Sequence, residues 1–203
     1  MLELRYTVGV ASAQVSTRPL TAEQFYELPE PEEGGKMELI DGRVALEMPV
    51  NGPHGDLVGS LMDALRPFAR SHGLGKVVPE VGFLLKRDPD RVRAPDVAFV
   101  SASLLEAGGW PAEGYIPYPP SFVIEVISPS NFDADIALKV EHYLEAGVER
   151  VWVVRPKTRT VTIHLPDHTS RTLLPGSSLT SEDAGFAVPG FELALEALFA
   201  EEA

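Results

Sequence analysis

The chain of 203 residues contains no cysteine. That excludes a disulfide framework, a zinc–thiolate site and a cysteine nucleophile, and it suits a cytoplasmic protein. No apolar run approaches the ~20 residues that a membrane-crossing helix needs. The opening Met1-Leu-Glu-Leu-Arg-Tyr6 and the Ala11-Ser-Ala13 after it imitate an export signal. The apolar stretch is too short and Glu3 stands where such a signal is positive, so export is not expected. An excess of basic residues is also missing: 17 Lys and Arg face 30 Asp and Glu, a formal net charge of −13. This argues against a protein that coats nucleic acid through a basic face. It does not argue against a small site built from carboxylates, which is itself a source of negative charge.

Several familiar motifs are absent too. His54, His72, His142, His164 and His168 show no H-E-x-x-H spacing, and Gly52, Gly55 and Gly59 form no G-x-G-x-x-G loop. Ser128 and Ser130 have no histidine near them in sequence and read as a strand-ending turn. No repeat or low-complexity tract appears.

The remaining pattern is that of an ordinary folded domain, with 44% hydrophobic and 23% charged residues. Thr21-Ala-Glu-Gln24 is a capping box that opens a short helix. Two strand-like runs over 37–48 meet at Asp41-Gly42, a strong hairpin signal. Residues 51–72 read as a helix with Leu57, Val58, Leu61, Leu65 and Phe68 on one stripe, and Pro67 is expected to kink or close it. Stretches 76–85 and 94–100 read as strands around an exposed charged turn at 87–91, followed by a Gly/Pro-rich loop over 108–120. The near-continuous apolar run at 121–127 marks a central strand. A helix over 133–146 ends at Gly147 with Val148 behind it, as in a Schellman motif, and strands follow at 151–154 and 160–164. The order implies an α/β fold with a mixed central β-sheet flanked by helices. One domain over 1–203 is expected, with a core at about 20–165 and a C-terminal extension over 166–203 whose segment 191–199 caps the core or meets a partner subunit.

Glu125 is the sharpest feature, a carboxylate in the middle of Phe-Val-Ile-Glu-Val-Ile. Left ionised and unpaired in a buried strand it would cost several kcal/mol, so a salt bridge, protonation or a metal ion must offset it. Asp96, after Pro95 and before Val-Ala-Phe-Val, puts a second acid at the start of another strand. Taken alone it could be a turn-forming residue. Together the two acids form the oxygen-rich set that Mg²⁺ or Mn²⁺ requires. Lys139 flanks the buried stripe of the next helix, where it can either snorkel to solvent or reach the acids. Glu38 could add a carboxylate, although a hairpin Glu is more often exposed. His54, at a predicted helix start where amides favour anions, is a candidate substrate contact.

These residues, in this order, resemble the PD-(D/E)XK nuclease pattern and, more narrowly, the Uma-type family of restriction-endonuclease-like proteins. The resemblance rests on Glu38-Leu-Ile-Asp-Gly42, Arg93-Ala-Pro-Asp-Val-Ala-Phe-Val100, Phe122-Val-Ile-Glu-Val-Ile-Ser-Pro-Ser130, Lys139 with Tyr143-Leu-Glu-Ala-Gly-Val148, and Val151-Trp-Val-Val-Arg-Pro156. It implies a restriction-endonuclease-like core and Mg²⁺-dependent hydrolysis of phosphodiester bonds in DNA, with Mn²⁺ as a substitute. By it Asp96 and Glu125 are the metal-binding acids, Glu38 an accessory carboxylate and Lys139 the catalytic lysine. Two departures are visible. The lysine of an E-x-K motif would fall at Ile127, so Lys139 from the following helix takes its place. Arg155 stands where the family often carries an acidic residue. A homodimer is a further expectation, since nucleases that cut both strands often act as symmetric pairs. Two readings compete: a non-catalytic binding or regulatory module that keeps the fold, and a carboxylate-pair hydrolase acting on sugars. The second is poorly served by an aromatic content of 8%.

Overall fold

The computed structural model describes residues 18–31, 34–128 and 133–200. The opening segment weighed above as an export signal, and Pro129 and Ser130 of the expected turn, lie outside them. Helix α1 (Ala22–Tyr26) starts at the capping box: Thr21 accepts from the Gln24 amide and the Gln24 side chain accepts from the Thr21 amide. The hairpin of β1 (Lys36–Ile40) and β2 (Arg43–Glu47) turns at Asp41 and Gly42, both at positive φ. That is the turn whose twist matches the strands it joins, and it fixes Ile40 opposite Arg43 and Lys36 opposite Glu47.

Helix α2 (Gly52–Ser71) is capped by Asn51, whose side chain accepts from the His54 amide. The helix ends at Ser71, close to the expected span of 51–72, and Pro67 lies inside it without closing it. Pro67 is exposed, so the carbonyl deprived of its partner is on the solvent side.

The stretch 76–85 is not one strand. It divides into β3 (Gly75–Pro79) and β4 (Phe83–Lys86), which belong to different sheets. Glu80 at positive φ makes the break, and Gly82 packs so closely on Tyr115 that a Cβ there would stand 2.4 Å from the ring. The returning segment divides the same way, into β5 (Arg91–Arg93) and β6 (Val97–Ser101). The charged turn at 87–91, which joins β4 to β5, is only partly exposed, because Asp90 and Arg91 are buried. Asp90 accepts from the Ala22 amide, and Arg91 holds Asp41 and Glu145.

After the short α3 (Ala102–Gly108) come β7 (Phe122–Val126), α4 (Asp133–Glu145), β8 (Arg150–Arg155) and β9 (Thr160–His164). The α4 terminus is the expected Schellman motif: the Gly147 amide donates to Leu144 O and the Val148 amide to Tyr143 O. The C-terminal residues are more than an extension. Strand β10 (Ser170–Leu173) forms an edge of the main sheet, and β11 (Ser178–Thr180), α5 (Ser181–Ala184), β12 (Glu192–Ala194) and α6 (Leu195–Leu198) close one of its faces.

The main sheet has the order β10-β9-β8-β7-β6-β3, with β7 and β8 parallel and every other pair antiparallel. This is the mixed central sheet with helices on both sides. Alternation along β7 sends Phe122, Ile124 and Val126 to the face covered by α2 and the C-terminal segment, and Val123 to the face covered by α4. The smaller sheet, β2-β1-β5-β4, packs Leu39, Val92 and Leu84 against Phe25 of α1. No helix among the described residues is long and apolar enough to cross a membrane.

Candidate active site

The antiparallel register of β6 and β7 pairs Val97 with Ile124 and Ala98 with Val123. One step further along, Asp96 stands opposite Glu125, and by alternation both turn to the α4 side. The two acids singled out in the sequence are therefore neighbours across adjacent central strands. The smaller sheet works the same way: Leu39 pairs with Val92, which sets Glu38 opposite Arg93.

Glu125 is 2% exposed and is not left bare. Its Oε2 accepts from Lys139 Nζ at 3.0 Å and its Oε1 from the Tyr143 hydroxyl at 2.7 Å. Lys139 and Tyr143 are one turn apart on α4, so a single helix face delivers both donors. Burial, with the Asp96 charge adding to it, pushes the Glu125 carboxyl above its ordinary range despite the ammonium beside it. Burial and the Glu125 charge likewise drive the Tyr143 hydroxyl well above its usual value, keeping it a donor.

Lys139 does not snorkel. It is 4% exposed, and its ammonium is shared between Glu125 and Glu47 Oε1, the latter at 2.5 Å. Burial opposes the charge, but Glu125, Glu38 and Glu47 outweigh it and hold the lysine protonated beyond its normal range. Lys36 makes a second bridge. Its Nζ donates to Ala94 O at 2.6 Å and lies 3.5 Å from both Glu47 Oε2 and Asp96 Oδ1. Burial raises the Glu47 carboxyl pKa, yet Lys139 and Lys36 more than reverse it.

Asp96 accepts from the Val126 amide at 2.7 Å, a bond that ties the acid to the neighbouring strand. Burial works against its charge, but the His54 imidazole, Lys36 and this amide together hold its carboxyl below the ordinary aspartate value. His54 is buried rather than at the surface, with Nε2 3.4 Å from Asp96 Oδ1.

Glu38 is also buried, and both its oxygens are engaged: Oε2 by Arg93 Nη1 at 2.5 Å and Oε1 by the Ala94 amide at 2.9 Å. It thus pins the chain two residues before Asp96. Arg93 continues to His142, whose Nδ1 accepts from the guanidinium at 2.8 Å. Burial, Arg93 and Arg91 lower the His142 pKa to about 4, so its ring is neutral and its proton sits on Nε2.

The acids line a cavity of about 340 Å³ whose wall includes Glu38, Glu47, His54, Arg93, Asp96, Glu125 and Lys139. Its apolar part includes Ile40, Met48, Val50 and Leu138. All four catalytic candidates and His54 thus converge on one cavity. Lys36, Glu47, Arg93, Tyr143 and His142 carry the same network without having been assigned roles from the sequence. For Glu47 and Lys36 a signal existed: the two-residue Asp41-Gly42 turn fixes them as cross-strand partners, on the face of Glu38. Among the described residues no three His, Asp or Glu side chains form a ready-made metal cage. Two facing carboxylates on rigid strands nevertheless suit Mg²⁺, which binds through one or two acids and keeps several waters.

A family model described as Uma2, "Putative restriction endonuclease", matches residues 22–196. Among solved structures, the chain is similar to a putative nuclease belonging to DUF820 from Anabaena variabilis ATCC 29413. The two are 21% identical, the match covers 89% of this chain and 98% of the other, and the TM-score is 0.70. At that identity the likeness shows the fold. No curated protein matches the chain.

Proposed function

The chain belongs to the Uma2 family, and from that premise we propose that it is a metal-dependent endonuclease that hydrolyses phosphodiester bonds in DNA. The observation that carries the reading is the pair Asp96 and Glu125, facing each other across β6 and β7 in a cavity with a buried lysine over them. Asp96 and Glu125 would hold a divalent cation, Mg²⁺ or Mn²⁺. Such an ion supplies polarisation of the phosphate and a water acidic enough to attack near neutral pH.

The chain's own residues supply the rest. The Val126 amide fixes Asp96, and Tyr143 fixes Glu125, so both acids are oriented before anything binds. Lys139, pinned between Glu125 and Glu47, is a cation at the place where negative charge builds up on the attacked phosphate. Glu38 and Arg93 are positioning residues that hold the Ala94-Pro95-Asp96 segment.

One observation favours a second reading. Lys36 and Lys139 already neutralise the acids in pairs, so the fold needs no cation to be stable, as a binding module that keeps the nuclease core would also not. Incubation of supercoiled plasmid and single-stranded DNA with Mg²⁺ or Mn²⁺ separates the two. Nicking that disappears in both Asp96→Ala and Glu125→Ala is the expected result. Absence of cleavage under all conditions favours the binding module, and cleavage that survives in both variants contradicts the site.

A further inference from the structure

Among the described residues, His54 is a buried polar side chain of the cavity wall whose ring nitrogens make no hydrogen bond. The ring is 5% exposed, yet neither nitrogen has a hydrogen-bond partner among the described residues. Its Nε2 lies 3.4 Å from Asp96 Oδ1 without forming an aligned hydrogen bond. Leaving a buried polar group unpaired costs about 1–3 kcal/mol. The placement is also firm. His54 is in the first turn of a 20-residue helix, with its amide bound to Asn51 Oδ1 at 3.1 Å. The other buried histidine, His142, differs: its Nδ1 is occupied by Arg93, and it does not line the cavity.

We propose that His54 is a nitrogen ligand for the cation held by Asp96, so that the site takes Mn²⁺ in preference to Mg²⁺. This rests on the reading of Asp96 as a cation ligand. Two adjacent donors of an octahedral ion, each at roughly 2.1 Å, stand about 3 Å apart. The His54–Asp96 separation of 3.4 Å is within a few tenths of that. A cation there gives the ring nitrogen the partner it lacks. It also changes the choice of metal. Magnesium takes oxygen donors and parts reluctantly with its waters, whereas an imidazole beside carboxylates favours a first-row transition ion. A direct phosphate contact by His54 is less well served, because the ring faces a carboxylate that repels phosphate oxygens.

The test is Mn²⁺ bound to the full chain, observed by electron paramagnetic resonance. Spin-echo modulation from an imidazole nitrogen on the bound Mn²⁺ is expected in the wild type and is lost in His54→Ala and His54→Gln. Mn²⁺ affinity falls by at least the roughly tenfold that loss of even an outer-shell partner costs, and the Mn²⁺-over-Mg²⁺ preference, measured by competition, falls with it. The Gln variant keeps a polar side chain of similar length and guards against a folding defect, which circular dichroism checks. Bound Mn²⁺ in the wild type with no nitrogen modulation overturns the proposal. So does modulation that persists in both variants, or a raised KM for DNA with the metal preference unchanged, which would make His54 a substrate contact. If the wild type binds no Mn²⁺ at all, the failure is that of the underlying cation site rather than of His54 alone.

Discussion

Charged residues in the wrong place were the legible ones. Glu125 in an apolar strand and Asp96 at the head of another could be singled out from sequence because burial makes an ionised carboxylate expensive. Lys139 was visible for the same reason, as a cation beside an apolar stripe. Glu47 is legible only through its pairing with Lys36 across the Asp41-Gly42 turn, and His142 is not legible at all, since a His on a helix looks solvated until α4 closes over the smaller sheet. Their chemistry can be tested directly. The neutral His142 has a folded pKa of about 4, against about 6.5 for a free histidine side chain. The unfolded chain therefore binds more protons between those values, so stability is full above the upper one and is lost as pH falls toward the lower. Burial of His164, with Arg155 beside it, lowers that pKa too and adds the same sign. Between pH 7 and 4 the His142 share is about 1–3 kcal/mol after solvent screening, and His142→Gln should remove it in urea titrations at the two pH values. Tyr143→Phe strips one hydrogen bond from buried Glu125 and should cost about 1–3 kcal/mol at neutral pH, measured the same way.

At the scale of elements, the ends of helices and the hairpin were readable because each depends on local chemistry: the Thr21 box, the Asp41-Gly42 turn, the Gly147 terminus. Elements that depend on distant partners were not. Residues 76–85 read as one strand because nothing local reports that β3 pairs with β6 while β4 pairs with β5. Strand β10 carries no strand signal, because its sequence, Ser-Arg-Thr-Leu, is polar and only Leu173 is buried. Two substitutions probe the local rules. Pro67→Ala restores an amide donor inside α2 and should raise stability by about 1–2 kcal/mol, the roughly 3 kcal/mol helix penalty less the entropy that proline removes from the unfolded chain. Gly147 sits at φ +95 with nothing within 4 Å of a Cβ, so Gly147→Ala should cost about 1 kcal/mol through backbone strain alone. Thermal melts of both variants check the signs, which are opposite.

For the molecule as a whole, the fold class followed from element order, and the site from two acids on neighbouring strands. The way the acids are balanced required the assembled structure. Lys36, Lys139 and Arg93 are all committed to carboxylates, which leaves the cavity few cations for phosphates. With a net charge of −13, binding to random duplex DNA should depend weakly on salt. A slope of log K against log[salt] no steeper than about −3, in place of the −6 to −9 of a protein with many phosphate contacts, is expected from fluorescence anisotropy. The central claim is that Asp96 and Glu125 form a divalent-cation site that their lysine partners balance in its absence. Calorimetric titration of Mg²⁺ and Mn²⁺ into wild type, Asp96→Asn and Glu125→Gln tests it most directly. The account predicts saturable binding in the wild type that is weakened by at least tenfold, ~1.4 kcal/mol, in each variant. No binding to the wild type, or binding that both variants retain unchanged, would contradict it.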